Sequence, residues 1–281
     1  MKKIFAGLFL LISGFAAQAQ TAEEILAKYE TAAGGREKLQ AVKQLEVISN
    51  LKMGMMGSTI ELPLTLIREK GKLFRRQIGG VMGMGDSYTL ISDTAGFNYI
   101  PAMRGFGGGG GFGGGGFGGP PTSNTPTITK FKPEELAASQ YELDADGAFA
   151  ELVDFAAKGH TAQLMGTEKI NKVPCFKIKM TLKTGQQVMY YIDSQTFLVK
   201  QVEATGEMAL NLTGFGSMMK ALGSSIRKDQ KASIVVKEYQ EIKGIKFPLK
   251  YTLAFGPVES EIENTSVQIN EGLEEKWYYV R

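Results

Sequence analysis

A chain of 281 residues with one cysteine, one histidine and no apolar run of membrane-spanning length is limited first by those scarcities. Cys175 alone cannot form an intramolecular disulfide, so the fold must be held by its core. The sequence around Cys175 offers no histidine to activate a thiolate, and the residue reads as a half-buried position in a strand. One histidine and one cysteine leave only carboxylates for a zinc site, so no metal and no cofactor are expected. The usual groups of hydrolytic and redox chemistry are equally scarce, which points to a non-catalytic protein. His160 directly follows Gly159 and reads as the cap of a helix end. An excess of one charge sign is also lacking: 32 Lys plus Arg face 29 Asp plus Glu, a net +3 without a basic run. That field does not suit nucleic acid or an anionic membrane surface as partner.

The longest apolar run, Ile4 to Phe15, is shorter than the roughly 20 residues of a bilayer span. With Lys2 and Lys3 before it and Ala17 and Ala19 after it, residues 1–19 read as a secretory signal peptide cleaved after Ala19. No cysteine follows at the cleavage site to carry a lipid, so the expected product is a soluble, nearly neutral periplasmic chain. With 43% hydrophobic and 22% charged residues, it can bury a real core. Residues 20–281 are expected to form a single domain.

Thr21 to Glu24 spells a capping box, followed by Ile25, Leu26, Tyr29 and Ala33 at helical spacing and by Gly34-Gly35 as the stop. Arg36 to Val42 continues as a shorter helical piece. The period then changes to two. In IELPLTLI, Ile60, Leu62, Leu64 and Leu66 share one face; in CFKIKMTLK, Phe176, Ile178, Met180 and Leu182 do; in IKFPLKYTL, Phe247, Leu249, Tyr251 and Leu253 do. Short turns separate these runs, including Glu69 to Lys72, Asp93 to Gly96, Lys183 to Gln186, Asp193 to Thr196, Ile242 to Gly244 and Gly256-Pro257. Such connections join antiparallel neighbours. The pattern predicts an α+β protein that is mainly β: one antiparallel sheet of roughly nine to eleven strands, curled into a barrel or half-barrel. Pro63, Pro174 and Pro248 inside strand-like runs favour edges or bulges over full closure. Helices are predicted at Phe131 to Tyr141, with Pro133 at the first position, and at Gly147 to Lys158, where Phe149, Leu152, Val153 and Phe155 recur. Their apolar sides suit the concave face of the sheet. Gly214 to Ile226 reads as a short helix or a mobile loop.

Between Gly105 and Gly119 only Phe106, Phe112 and Phe117 are not glycine. No helix opens after this stretch and no Gly-Lys-Ser/Thr is present, which excludes a phosphate loop; Arg104 stands alone, unlike an RNA-binding tract. Residues 102–130 therefore read as a Gly/Pro-rich flexible insertion, a linker or a lid over a cavity rim. Asp144, Asp146 and Gly147 hint at a calcium loop, but the remaining ligands do not follow, leaving a loop with a helix cap. Glu259, Glu261 and Glu263 alternate as the solvated face of a strand. Methionines beside glycine, Met53, Met55, Met56, Met82 and Met84, with Met218 and Met219 later, suit an adaptable apolar lining, a plain core or Cu(I) handling.

The order of several loose motifs carries a resemblance. Ala22 to Tyr29 leads to GGREKL at Gly34 to Leu39. GTEKINKVPCFKI follows from Gly166, YIDSQTFLVKQVE from Tyr191, YQEIKGIKFP from Tyr239 and VQIN from Val267. This resembles the LolA/LolB-like outer-membrane lipoprotein-sorting superfamily, in its exported branch, over nearly the whole mature chain except the glycine insertion. The resemblance implies an unclosed antiparallel β half-barrel curved around inner helices, whose interior receives acyl chains of lipoproteins or other lipids. It also implies a buried arginine that holds helices over the cavity; Arg68, Arg75 and Arg76 lie on candidate strands, and the role is not assigned among them. The expected function is a monomeric, non-catalytic periplasmic carrier of an apolar ligand. The expected cavity lining is Leu62, Leu64, Leu66, Phe149, Leu152, Phe155, Phe176, Ile178, Met180 and Leu182. The same alternation arises if these side chains fill a core against one another. A scaffold that contacts an envelope protein through the glycine-rich loop, and Cu(I) binding by the methionines, are the competing functions.

Overall fold

The computed structural model describes residues 20–55, 58–80, 85–102, 125–214 and 227–280. Helix α1 (Ala22–Ala33) opens on the predicted capping box: the Thr21 hydroxyl accepts from the Glu24 N–H at 3.2 Å, and the Glu24 carboxylate accepts from the Thr21 N–H at 3.3 Å. Its apolar stripe, Ile25, Leu26, Tyr29 and Ala33, is buried. Gly34 ends it at φ +134°, where a Cβ would stand 2.4 Å from the Gly244 carbonyl oxygen, so close approach and backbone both require glycine. Helix α2 (Arg36–Gln40) follows.

Among the described residues thirteen strands then form one antiparallel sheet: β1 (Gln44–Met55), β2 (Ser58–Glu69), β3 (Leu73–Ile78), β4 (Ser87–Ser92), β5 (Gly96–Ile100), β6 (Thr127–Lys130), β7 (Thr161–Ile170), β8 (Val173–Thr181), β9 (Gln187–Asp193), β10 (Val199–Thr205), β11 (Lys231–Ile242), β12 (Ile245–Phe255) and β13 (Val258–Ile269). Their spatial order is β6-β5-β4-β3-β2-β1-β13-β12-β11-β10-β9-β8-β7, so the sheet is not closed. The predicted open half-barrel is present, with more strands than expected. One of the extra ones, β6, holds only four residues and lies inside the span 102–130 read as insertion. The glycine stretch itself lies outside the described residues.

All three prolines sit in interior strands, each where pairing stops or shifts. Pro63 of β2 lies just past the end of β3, its carbonyl accepting from the Gly79 N–H at 2.8 Å. Pro248 of β12 lies beside the bulge near Glu238 and beyond Lys250, where β12 and β13 cease to pair. Asn264 bridges that gap, donating from Nδ2 to the Pro248 carbonyl at 2.7 Å. Pro174 pairs Lys169 of the edge strand β7.

The chain from residue 131 to 160 joins the two edges, β6 and β7, and must therefore cross the sheet. It begins with α3 (Pro133–Ser139), proline at its first turn as predicted, and passes through a 3₁₀ turn at Gln140–Leu143. The helix predicted over Gly147 to Lys158 is absent: only Ala150–Leu152 makes a 3₁₀ turn, and Asp154 adopts φ +47°. Tertiary contacts override the local pattern there. The Asp154 N–H donates to Glu30 Oε1 at 2.7 Å, while Arg36 and Gln40 donate to its carboxylate, pinning the left-handed residue to α1 and α2. Lys70 and Lys158 both pair with Asp146, and Lys158 with Asp144, so the suspected calcium loop is a lysine-clasped turn of this strap.

His160 is correspondingly not a helix cap. Its Nδ1 accepts the Lys183 N–H at 3.0 Å, which requires a neutral ring. Burial first, then Lys158 and Lys183, hold its pKa below the ordinary value of 6.5. A depressed folded value means a stability contribution present above pH 6.5 and lost as pH falls through the folded pKa. An NMR titration should place the His160 pKa below 6.5, and removing the ring (His160→Asn) should flatten that acid limb of the stability curve.

The main core lies between α1 and the concave face of β8 to β12 and includes Ile25, Leu39, Ile178, Met180, Ile192 and Phe247. Cys175, expected to be half-buried, is fully buried on the other face beside Ile170 and Tyr191. Burial pushes its thiol up to about 11. Glu259, Glu261 and Glu263 are exposed, as expected.

Candidate functional site

The core does not fill the whole concave face. After β10 the chain turns into α4 (Gly206–Thr213), a helix the sequence reading missed because it spans only two turns before Gly214. It lies against β10, β11 and β12. Between α4, the strap and the middle of the sheet remains a cavity of about 210 Å³. Its wall comes from alternate residues of eight strands: Val47 on β1, Leu64 and Leu66 on β2, Ile78 on β3, Tyr190 on β9, Ala204 on β10, Ile234 on β11, Leu253 on β12 and Ile262 on β13. Period-two patterning turns these side chains to one face, and the short side chains of β10, Val202 and Ala204, leave the space open.

Of the ten expected lining residues, the structure brings Leu64, Leu66 and Phe149 to this wall. Leu62 lies next to it in a cluster with Leu51, Ile78, Leu253 and Ile262. Leu152, Ile178, Met180 and Leu182 are buried in the core beneath α1, and Phe155 and Phe176 pack part-buried against that core. Phe247, Tyr251 and Leu253, seen in the sequence as one face of a strand, also line the cavity. Tyr141, Glu142 and Glu151 come from the strap and carried no sequence signal. Met53 packs part-buried against the Leu51 cluster. The Met55 side chain and Met56, Met82, Met84, Met218 and Met219 lie outside the described residues, as does the glycine stretch. Among the described residues no cluster of three or more metal-ligating side chains exists, and no helix is long and apolar enough to cross a membrane.

One end of the cavity is polar, and three neighbouring arginines divide between two faces. Arg68 points inward and donates from Nη2 to Glu142 Oε2 at 2.7 Å; both side chains are under a tenth exposed. Burial alone would lower the Arg68 pKa, but Glu142 and Glu151 together hold it above its ordinary value. Glu151 feels burial most, and its pKa is raised although Arg68 opposes the shift. Arg76, two residues beyond Phe74, also points inward: its Nη1 donates to the Asn211 carbonyl near the C-terminus of α4 and ties that helix to the sheet. Arg75 points to the opposite face. Tyr141 completes the polar end, its hydroxyl accepting from Asn211 Nδ2 at 3.3 Å.

Gly214 closes α4 at φ +76°, and a Cβ there would stand 2.7 Å from Arg76 Cδ. Gly214→Ala should therefore strain the cap and displace Arg76, lowering stability by about 1–2 kcal/mol and raising hydrogen exchange across residues 206–213 selectively.

No protein-family model matches the sequence, and no curated protein matches it. Solved structures do. A DUF1329-family protein from Desulfovibrio piger superposes with a TM-score of 0.52 at 11% identity, covering 91% of this chain and 97% of its own. A LolA superfamily protein from Nitrosomonas europaea superposes with a TM-score of 0.50 at 12% identity, covering 93% of this chain and 99% of its own. The fold is LolA-like. Near-complete coverage in both directions means that this LolA-like fold accounts for the whole architecture, with the cavity lying between sheet and helices.

Proposed function

We propose that this protein is an exported, non-catalytic carrier that shelters an acyl chain of a lipid or lipoprotein in the cavity under α4. The apolar wall of that cavity carries the reading: eight strands turn aliphatic or aromatic side chains into a space that the core leaves unfilled. A chain segment burying on the order of 200 Å² there would gain about 5 kcal/mol from area alone. The space is smaller than the roughly 300–1,000 Å³ of most ligand sites. Loading a whole chain therefore requires α4 to lift, and the Arg76 donation to Asn211 is the contact that yields. Arg76 thus takes the helix-holding role that the family resemblance implies, while Arg68 holds the strap.

The test is native mass spectrometry with lipid extraction on the mature protein purified from its own compartment. A discrete copurified lipid or lipopeptide supports the carrier; a clean apo mass with no uptake of added lipopeptide overturns it. Ala204→Phe, which projects a ring into the cavity, is expected to abolish the copurified mass while costing only about 1–3 kcal/mol of stability.

A further inference from the structure

We infer that the polar end of the cavity is a headgroup site for an anionic, single-chain amphiphile, with Arg76 meeting the anion. The inference rests on the carrier reading above and specifies its cargo. Arg68 and Arg76 approach the same ring: their guanidinium carbons lie 5.5 and 5.1 Å from the centroid of Phe74. Two cations therefore share one small region of the site, and Glu142 is ion-paired with only one of them, Arg68. Arg76 makes no ion pair with a described residue; its guanidinium gives one hydrogen bond, to the Asn211 carbonyl. An arginine has five N–H donors, so most of its fork is left to a ligand. Arg68 adds a second opening: its Nε is buried without a hydrogen-bond partner, on a side chain only 8% exposed.

The remaining carboxyl, Glu151, sits on the cavity wall near Tyr190; burial raises its pKa against the opposing pull of Arg68. The titratable groups lining the cavity are Arg68, Arg76, Glu142, Glu151, Tyr141, Tyr190 and Tyr251. Arg76, with no carboxylate paired to it, stands at the edge of an apolar space, an arrangement that an entering anion relieves and a neutral head does not.

Space agrees with charge. Beyond Arg76 a second cavity of about 50 Å³ shares Arg76, Glu142, Asn211 and Gly214 with the first, and Thr89, Asn98 and Ser139 contribute polar wall to it. It can take a small head but no second chain. A single-chain ligand would lay its tail along Leu64, Ala204 and Ile234 and present its head to the Arg76 fork, whose planar geometry matches a carboxylate or phosphate.

The full mature chain should be titrated with dodecanoate, dodecyl phosphate and 1-dodecanol, which share a tail and differ in the head. The expected result is that an anionic ligand binds roughly tenfold or more tightly than the alcohol. Arg76→Met should bring that ratio toward one, and Arg76→Lys should keep part of it. A preference for dodecanoate over dodecyl phosphate identifies a fatty-acid type of cargo; the reverse identifies a phosphate head. Equal binding of all three overturns the headgroup site while leaving the carrier reading intact. A preference unchanged in Arg76→Met, in a variant that melts cooperatively, overturns the assignment to Arg76. Binding of none of the three overturns the carrier and this inference together.

Discussion

Glu142→Ala is expected to cost about 3–5 kcal/mol of folding stability, because it strips one partner from a buried ion pair and leaves the other charge behind. Arg68 cannot escape to water: it is enclosed by β2, the strap and the ring of Phe74, with 7% of its surface exposed. Its only ion-pair partner among the described residues is Glu142. Removing both ends at once, as Arg68→Met with Glu142→Leu, should recover most of the loss, since the pair contributes less than its broken half costs. A double-mutant cycle by urea unfolding separates these terms. The chain's single tryptophan, Trp277, gives the fluorescence signal for it. A Glu142→Ala chain as stable as the parent would mean that water reaches Arg68 and that the strap is not held there.

Trp277→Ala is expected to have the second large effect, about 3–5 kcal/mol. The tryptophan lies in a 3₁₀ turn at Glu275–Tyr278 and packs on the convex face against Ile67, Leu73, Tyr88 and Leu90. Arg75 is caught between two rings, its guanidinium 3.6 Å from the Tyr88 centroid and 5.6 Å from that of Trp277. Its Nη1 also donates to the Tyr279 carbonyl at 3.0 Å, and burial lowers its pKa. Without the indole, the C-terminal segment loses its anchor and Arg75 loses one face of its sandwich. Trp277→Phe should retain most of the stability, because the ring still fills the site. Circular dichroism must follow both variants, since the fluorophore is gone. Limited proteolysis should cut near residues 270–276 in the alanine variant only.

The strands and most of their turns were legible because a one-sided sheet writes its two faces into the sequence at period two. IELPLTLI and CFKIKMTLK turned the expected residues to the concave face. What the pattern cannot encode is which stretch of that face will be covered by a helix and which left open. Ile178 and Phe149 look alike in sequence, yet α1 seals the first while the strap leaves the second on a cavity wall. The strap's course was illegible for a related reason: Phe149 to Phe155 has helical spacing, but Glu30, Arg36 and Gln40 hold Asp154 in a conformation that no helix tolerates. Those partners are more than a hundred residues away in sequence. Helix α4 escaped because its two turns end at Gly214, where the next apolar stretch of helical spacing in the sequence begins.

The meeting of β1 and β13 at the middle of the sheet also sets a timetable for folding. Each half is a string of hairpins that can pair as soon as it is made, but the seam between them joins Leu45 to Ile269 and Met53 to Ser260. Pairings of such sequence separation form late. Until the last strand arrives, β1 and β12 are bare edges with hydrogen-bonding groups unpaired and the cavity has no floor. The assembly of this protein is therefore expected to be all-or-none at that seam, with the cavity itself appearing only when the final strand docks.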